Sequence, residues 1–188
     1  SCLSSIFKKI KSEGKKCFAV VATAGTTVRG AIDPISEIAQ FCQKEKVWLH
    51  VDGSIGGIYG LSKMTSNIVQ GLGSADSITV NPQKLLGIAK TSSLLLVANK
   101  KHLSSTFSTG LPYAEPISGN EFHGGELGIQ GTRSAESLKL WIGLRQLGED
   151  GIEKILSESI QKRCYLESII DLSKFKIISG PLHLLALT

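Results

Sequence analysis

The sequence has little of what marks a special environment. None of its 188 residues falls in an apolar run approaching the roughly 18 that a membrane-spanning helix needs, so no such helix is expected. The opening stretch, SCLSSIFKKIKSEGKK, has lysines where a secretory leader would need its apolar segment. The four cysteines, Cys2, Cys17, Cys42 and Cys164, contain no CxxC pair, which leaves neither a disulfide framework nor a metal site with zinc spacing. Reduced thiols and a cytoplasmic location are the expectation. Aromatic residues are only 6% of the chain, and the net charge of +5 comes from dispersed lysines (Lys8, Lys9, Lys11, Lys15, Lys16, then Lys100 and Lys101) with no aromatic interleaving to stack bases. A solvated basic face, and no nucleic-acid partner, is expected. An initiating methionine is also missing, and the sequence stops inside an apolar run, PLHLLALT, so a fragment of a longer chain is expected.

What is present is an ordinary globular balance, with 41% hydrophobic and 20% charged residues, enough to bury one main core. Residues 3–13 read as a short amphipathic helix ended by Gly14. CFAVVATAG at 17–25 is a continuous apolar, β-branched run of the kind that forms a buried strand. Asp33 and Pro34 supply an N-cap followed by proline at the first helical position, and Ile35, Ile38, Ala39, Phe41 and Cys42 recur at helical spacing up to about Lys46. VWLHVD at 47–52 is the second buried strand. Glycine-rich GSIGGIYGLS predicts a loop before a short helix near 65–72, ADSITV at 75–80 a third strand, and SSLLLVAN at 92–99 a fourth. Residues 104–130 show no periodicity and read as an active-site loop. Leu138, Leu140, Trp141, Leu144 and Leu147 mark the packing stripe of a long helix ending at Gly148, with a second helix from about Glu149 to Ile170. Strands separated by helical segments imply an α/β fold, a mainly parallel sheet with flanking helices.

In open parallel sheets ligands gather at the carboxyl ends of the strands. Three segments close predicted strands: TAGTT at 23–27, HVDGS at 50–54 and NPQK at 81–84. They direct Thr27, Asp52 and Lys84 toward one crevice. A partly desolvated lysine loses its charge more easily and becomes an amine nucleophile, able to form a Schiff base with an aldehyde. An aspartate can hold a proton on a pyridine nitrogen, making the ring an electron sink for a carbanion. Alone, the two residues read as a buried ion pair; their context points elsewhere.

That context is four ordered segments, TAGTT, WLHVDGSIGG, SADSITVNPQKLLG and GTRSAESLKLWIGLRQLGEDG. They resemble the group II pyridoxal phosphate (PLP)-dependent amino-acid decarboxylases, which act on glutamate, aspartate, aromatic amino acids and diaminobutyrate. The resemblance runs from about residue 17 to 171. It implies the PLP type I (aspartate-aminotransferase-like) fold, with residues 1–131 as the C-terminal half of the PLP-binding large domain. Residues 132–188 would be connecting helices and the start of the small C-terminal domain. It implies pyridoxal 5'-phosphate as cofactor, Lys84 as the Schiff-base lysine, Asp52 as the pyridinium partner, Thr27 as a hydrogen-bonding neighbour, and Asn81 at the phosphate end.

Two positions depart from the family pattern. Gln83 stands where many members carry histidine; it can hydrogen-bond but cannot gain a proton near neutral pH. Ser54 stands where a small alanine commonly packs on the cofactor ring. Tyr113, in the long loop, is either the phenol that protonates the carbanion left by departing carbon dioxide or an ordinary loop aromatic. His123 is a weaker acid/base candidate, and Arg133 either faces a carboxylate or serves a structural or dimer-interface role. His50, two residues before Asp52 on the same strand face, either supports Asp52 or is a satisfied core histidine. The resemblance implies decarboxylation of a small-molecule L-amino acid to its amine, with active sites at or near the subunit interface of a homodimer. The alternatives are a PLP-dependent carbon–carbon (aldehyde) lyase on the same framework and a non-catalytic module for binding or dimerisation. The 188 residues alone are expected to bind PLP poorly and to show no turnover.

Overall fold

Parallel strands cannot be joined by a tight turn; they need a crossover long enough to hold a helix. The first two strands, β1 (Ala19–Thr23) and β2 (Trp48–Gly53), are joined in this way through α2 (Ile35–Glu45). The computed structural model describes residues 2–90, 92–109, 124–131 and 134–188. Around this unit lie α1 (Cys2–Ser12), β3 (Ser77–Val80), β4 (Leu94–Val97), α3 (Lys101–Phe107) and α4 (Glu136–Ile169). The sheet order is β1-β2-β3-β4. The first three strands are parallel, with Thr23 opposite Asp52 and Asp52 opposite Thr79; β4 reverses direction and sets Leu94 opposite Val80.

Side chains alternate across the sheet. One face carries Ala22, Leu49 and Val51, all at most 1% exposed, and joins Ile35, Ala39 and Cys42 of α2 and Leu156 of α4 in one core. The other face carries Thr23, His50, Asp52, Ser77 and Thr79. Two of its apolar members, Val21 and Leu95, are 65% and 57% exposed, so this face is largely open among the described residues. Phe7 of α1 meets Phe41 of α2 edge-on at 5.2 Å.

The expected strands and main helices form, and the mainly parallel sheet stands. Two local details differ. Asp33 does not cap α2: its Oδ2 accepts the amide of Thr23 at 2.7 Å, so Pro34 takes the cap position without a side-chain bond. The helix expected near 65–72 is instead a series of 3-10 turns, Gly57–Leu61, Ser66–Val69 and Leu72–Ser74. Gly71 interrupts the series at φ 98, pressed against Ser36 so closely that a side chain would not fit. The two helices expected around Gly148 are both present and meet there at a kink, where Gly148 itself leaves the helical conformation (φ 62, ψ −178).

The apolar run at the end of the sequence folds back on the sheet as an antiparallel pair. Lys176 and Thr188 exchange backbone hydrogen bonds at 2.8 and 3.0 Å, and the Ile178 amide donates to the Ala186 carbonyl. Between these arms Leu182 is completely buried. A Cβ added at Gly25 would lie 2.7 Å from Leu182 Cδ1, and one at Gly56 would run into the Ala24 carbonyl oxygen. Gly56→Ala is therefore expected to destabilise the fold by about 1–3 kcal/mol, as overpacked sites do. Gly73→Ala, which meets nothing within 4 Å, should stay within about 0.5 kcal/mol of the parent. Urea unfolding followed by circular dichroism distinguishes the two.

Candidate active site

Asp52 is the last polar-face residue of β2, and the backbone continues the sheet's hydrogen bonding past it. The Ala24 amide donates to the Asp52 carbonyl at 2.8 Å, and the Gly56 amide donates to the Ala24 carbonyl at 2.8 Å. This draws the turn after β1 and the loop after β2 together. The approach requires Gly53, whose added Cβ would lie 2.9 Å from the Thr79 carbonyl oxygen. The Ser54 amide donates to Asp52 Oδ1 at 3.1 Å, which fixes the carboxylate and leaves Oδ2 without a partner among the described residues. Ser54 Oγ in turn accepts from Lys84 Nζ at 3.2 Å. Asp52, Ser54 and Lys84 thus form one chain across the carboxyl ends of neighbouring strands.

No ion pair joins Lys84 to Asp52; the serine stands between them, and Lys84 is exposed. Its turn is short and rigid: Pro82 is fully buried, and the Lys84 amide donates to the Asn81 carbonyl at 3.0 Å. Asn81 Oδ1 accepts from Ser93 Oγ at 2.6 Å, and Gln83 Oε1 accepts from the Ser92 amide at 2.7 Å. Each amide has spent its acceptor and keeps its NH2 donors. The Ser92 hydroxyl is buried without a partner among the described residues. A cavity of about 600 Å³ borders Ser92, Ser93 and the start of α4. A cavity of about 660 Å³ lies at the other end of the sheet, beside Trp48, Asp76 and His102, away from Lys84.

His50 is satisfied on both ring nitrogens, with Nδ1 2.8 Å from Ser77 Oγ and Nε2 3.3 Å from Thr79 Oγ1. Trp48 Nε1 donates to the same Ser77 oxygen at 2.9 Å. None of these bonds reaches the Asp52 carboxylate. Thr27 is exposed on the turn after β1, which is held by the Ala31 amide donating to Thr26 Oγ1 at 3.1 Å. Tyr113, His123 and Arg133 lie outside the described residues. Sequence reasoning missed Ser92 and Ser93, because a serine pair before a strand carries no signal of its own. It also missed Leu182 and His183, which approach from the far end of the chain.

These residues fall within a recognisable unit: residues 2–186 match the model of the pyridoxal-dependent decarboxylase conserved domain. The chain belongs to the pyridoxal-dependent decarboxylase family. It is 34% identical over 177 residues to an aromatic-L-amino-acid decarboxylase of Bacillus atrophaeus, covering 93% of this chain and 37% of that protein. It is 34% identical over 179 residues to the acidic amino acid decarboxylase of Bos taurus, covering 93% and 34%. The chain therefore spans about a third of the length of these relatives. Mouse CSAD, solved in apo form, superposes with a TM-score of 0.82 at 30% identity, over 94% of this chain and 37% of that one. An Oryza sativa TDC solved with PLP and tryptamine shares the fold, with a TM-score of 0.87 at 22% identity over 95% and 37%. The expected family, α/β fold and cofactor class stand on these likenesses.

The residues present suit PLP. Lys84 offers an amine for an aldehyde, Asp52 Oδ2 an acceptor for a protonated ring nitrogen, and the Asn81 and Gln83 amides donors for a phosphate.

Behind the loop that follows Asp52, Tyr59 is fully buried. Its hydroxyl lies 2.9 Å from His183 Nδ1 and 3.1 Å from Ser159 Oγ. Burial raises the Tyr59 phenol above its usual 10, partly offset by Ser159 and the charge of Arg163, itself bonded to Glu167 at 2.7 Å. Burial lowers His183 below its usual 6.5. The unfolded chain then takes up the proton first, so the stability tied to neutral His183 is complete above pH 6.5 and declines as the pH falls below it. The urea midpoint should drop between about pH 7.5 and pH 5.5, and drop less in His183→Gln.

Proposed function

We propose that the complete protein is a PLP-dependent amino-acid decarboxylase, converting an L-amino acid to its amine and carbon dioxide. The observation that carries this reading is the Asp52–Ser54–Lys84 chain at the carboxyl ends of β2 and β3, inside a family match of nearly the whole length. When bound, PLP supplies an aldehyde for amine exchange and a cationic ring that withdraws electrons from the substrate's α-carbon. Lys84 presents its amine to that aldehyde and, through its bond to Ser54, is held close to the aspartate. Asp52, with Oδ1 held by the Ser54 amide, would accept a hydrogen bond from the protonated ring nitrogen on Oδ2 and keep the ring charged. Asn81 and Gln83, whose carbonyl oxygens are already engaged, would offer their amide donors to the phosphate. Ser54 would take the small position against the ring, and Thr27, exposed on the turn after β1, would offer its hydroxyl to the cofactor.

Gln83 cannot carry a proton, so proton return to the α-carbon falls to another group; the proposed donor is Tyr113. Residues 1–131 are assigned to the large domain and 132–188 to the connection with the small one. The same reading has a cytoplasmic homodimer with sites at or near the subunit interface. The two relatives quoted are a decarboxylase of aromatic and one of acidic amino acids, which favours decarboxylation over another carbon–carbon cleavage or a non-catalytic role.

Full-length protein supplied with PLP should show the absorption band of lysine-bound cofactor near the visible edge, and Lys84→Ala should lose it. Asp52→Ala should lower turnover by about a hundredfold or more. Tyr113→Phe should keep the band while slowing carbon dioxide release. Absence of the band in the parent protein, or its survival in Lys84→Ala, overturns the reading.

A further inference from the structure

Leu182 seats against the two loops that flank Asp52, although it comes from the other end of the sequence. Its Cδ1 is the nearest atom to the space a Cβ would fill at Gly25 and lies 3.1 Å from the corresponding point at Gly56. Those glycines belong to the backbone bridge already described, Ala24 to Asp52 and Gly56 to Ala24. The neighbouring Gly30 receives the Leu182 Cβ in the same way, at 3.1 Å. A side chain with no exposed surface thus fills the room that glycine leaves at the bridged backbones.

The next residue locks this seat. His183 bonds the Tyr59 hydroxyl and stacks on its ring at 6.1 Å and 21°. Ser159 Oγ donates to the Leu156 carbonyl at 2.7 Å, so at Tyr59 it can only accept. The Tyr59 proton therefore goes to Ser159, and His183 donates from Nδ1 to the Tyr59 oxygen. Tyr59 follows Ser54 by five residues, so the lock ties α4 and the C-terminal arms to the loop that carries Ser54. A second tie holds the other loop, with Arg29 Nε donating to the Ile178 carbonyl at 2.7 Å.

We propose that Leu182 and His183 are positioning residues for the cofactor site: seated on Gly25 and Gly56 and locked through Tyr59, they set the spacing of the loops that carry Thr27 and Ser54. The consequence for PLP rests on the function proposed above; the consequence for the loops does not.

The test is amide hydrogen exchange in the full-length protein without cofactor, combined with PLP titration. Leu182→Ala should speed exchange at Ala24, Gly25 and Gly56 by about tenfold or more, while Val51 in mid-strand changes by less than about twofold. Leu182→Met should restore the parent pattern, because it refills the seat. Tyr59→Phe, which keeps the ring and removes the hydroxyl, should shift the same three amides in the same direction by less. PLP should bind Leu182→Ala about fivefold more weakly. Acceleration spread evenly over the sheet, no acceleration, or no rescue by methionine overturns the proposal. If Leu182→Ala does not fold, Leu182→Val and Tyr59→Phe are compared with the same outcomes. A local exchange pattern together with a PLP band that survives Lys84→Ala would sink the cofactor assignment and leave the clasp standing. Uniform exchange with a band lost in Lys84→Ala would do the reverse.

Discussion

The hydrogen bond from the Ala24 amide to the Asp52 carbonyl is the constraint on which the site depends. Parallel ladders usually fray where the strands end. Here the pairing is carried one residue further and then handed on to Gly56, so the segments after β1 and β2 leave the sheet in fixed relation. Asp52 consequently sits on a backbone that cannot drift, and the Ser54 amide can reach its carboxylate. The requirement for glycine at positions 53 and 56 follows directly, since each faces a carbonyl oxygen too near for a side chain. A polar constellation on loops is held by rigid backbone contacts beneath it.

The two faces of the sheet divide the work. Ala22, Leu49 and Val51 exclude water on one side, where α2 and α4 supply the covering layer. On the other side polar residues form a ladder in which Trp48, Ser77, His50 and Thr79 satisfy one another. This leaves His50 with no bond to spare for the Asp52 carboxylate, and its contribution is to the order of the strand surface. Polar groups that are fully paired in this way rigidify the surface they line.

Much of this was legible beforehand. The β-branched runs at 17–25 and 47–52 and the alternation with helices read as a parallel sheet because burial on both faces leaves continuous apolar strings. Asp52 and Lys84 were legible because both close strands. The Asp33 cap was misread because a local rule competed with a longer-range bond: its carboxylate is engaged by the Thr23 amide. The 65–72 segment forms 3-10 turns rather than one helix, because Gly71 takes a left-handed backbone conformation that ends one. The role of Leu182 had no local signature at all. Its meaning lies in Gly25 and Gly56, far away in sequence, and only the fold brings them together.

The reversal of β4 has a consequence for the order in which the protein assembles. Val80 and Leu94 pair across a short span, so closing the loop that contains Lys84 costs little chain entropy. Leu182 must return to Gly25 across most of the molecule, a contact of high sequence separation that forms late. During synthesis the lysine turn can take shape while the ribosome is still adding α4. The seat of Leu182 on Gly25 and Gly56 forms only after residues 176–188 have emerged. A nascent chain therefore presents the turn of Lys84, the proposed cofactor lysine, before the far end of the sequence can reach the loops beside it.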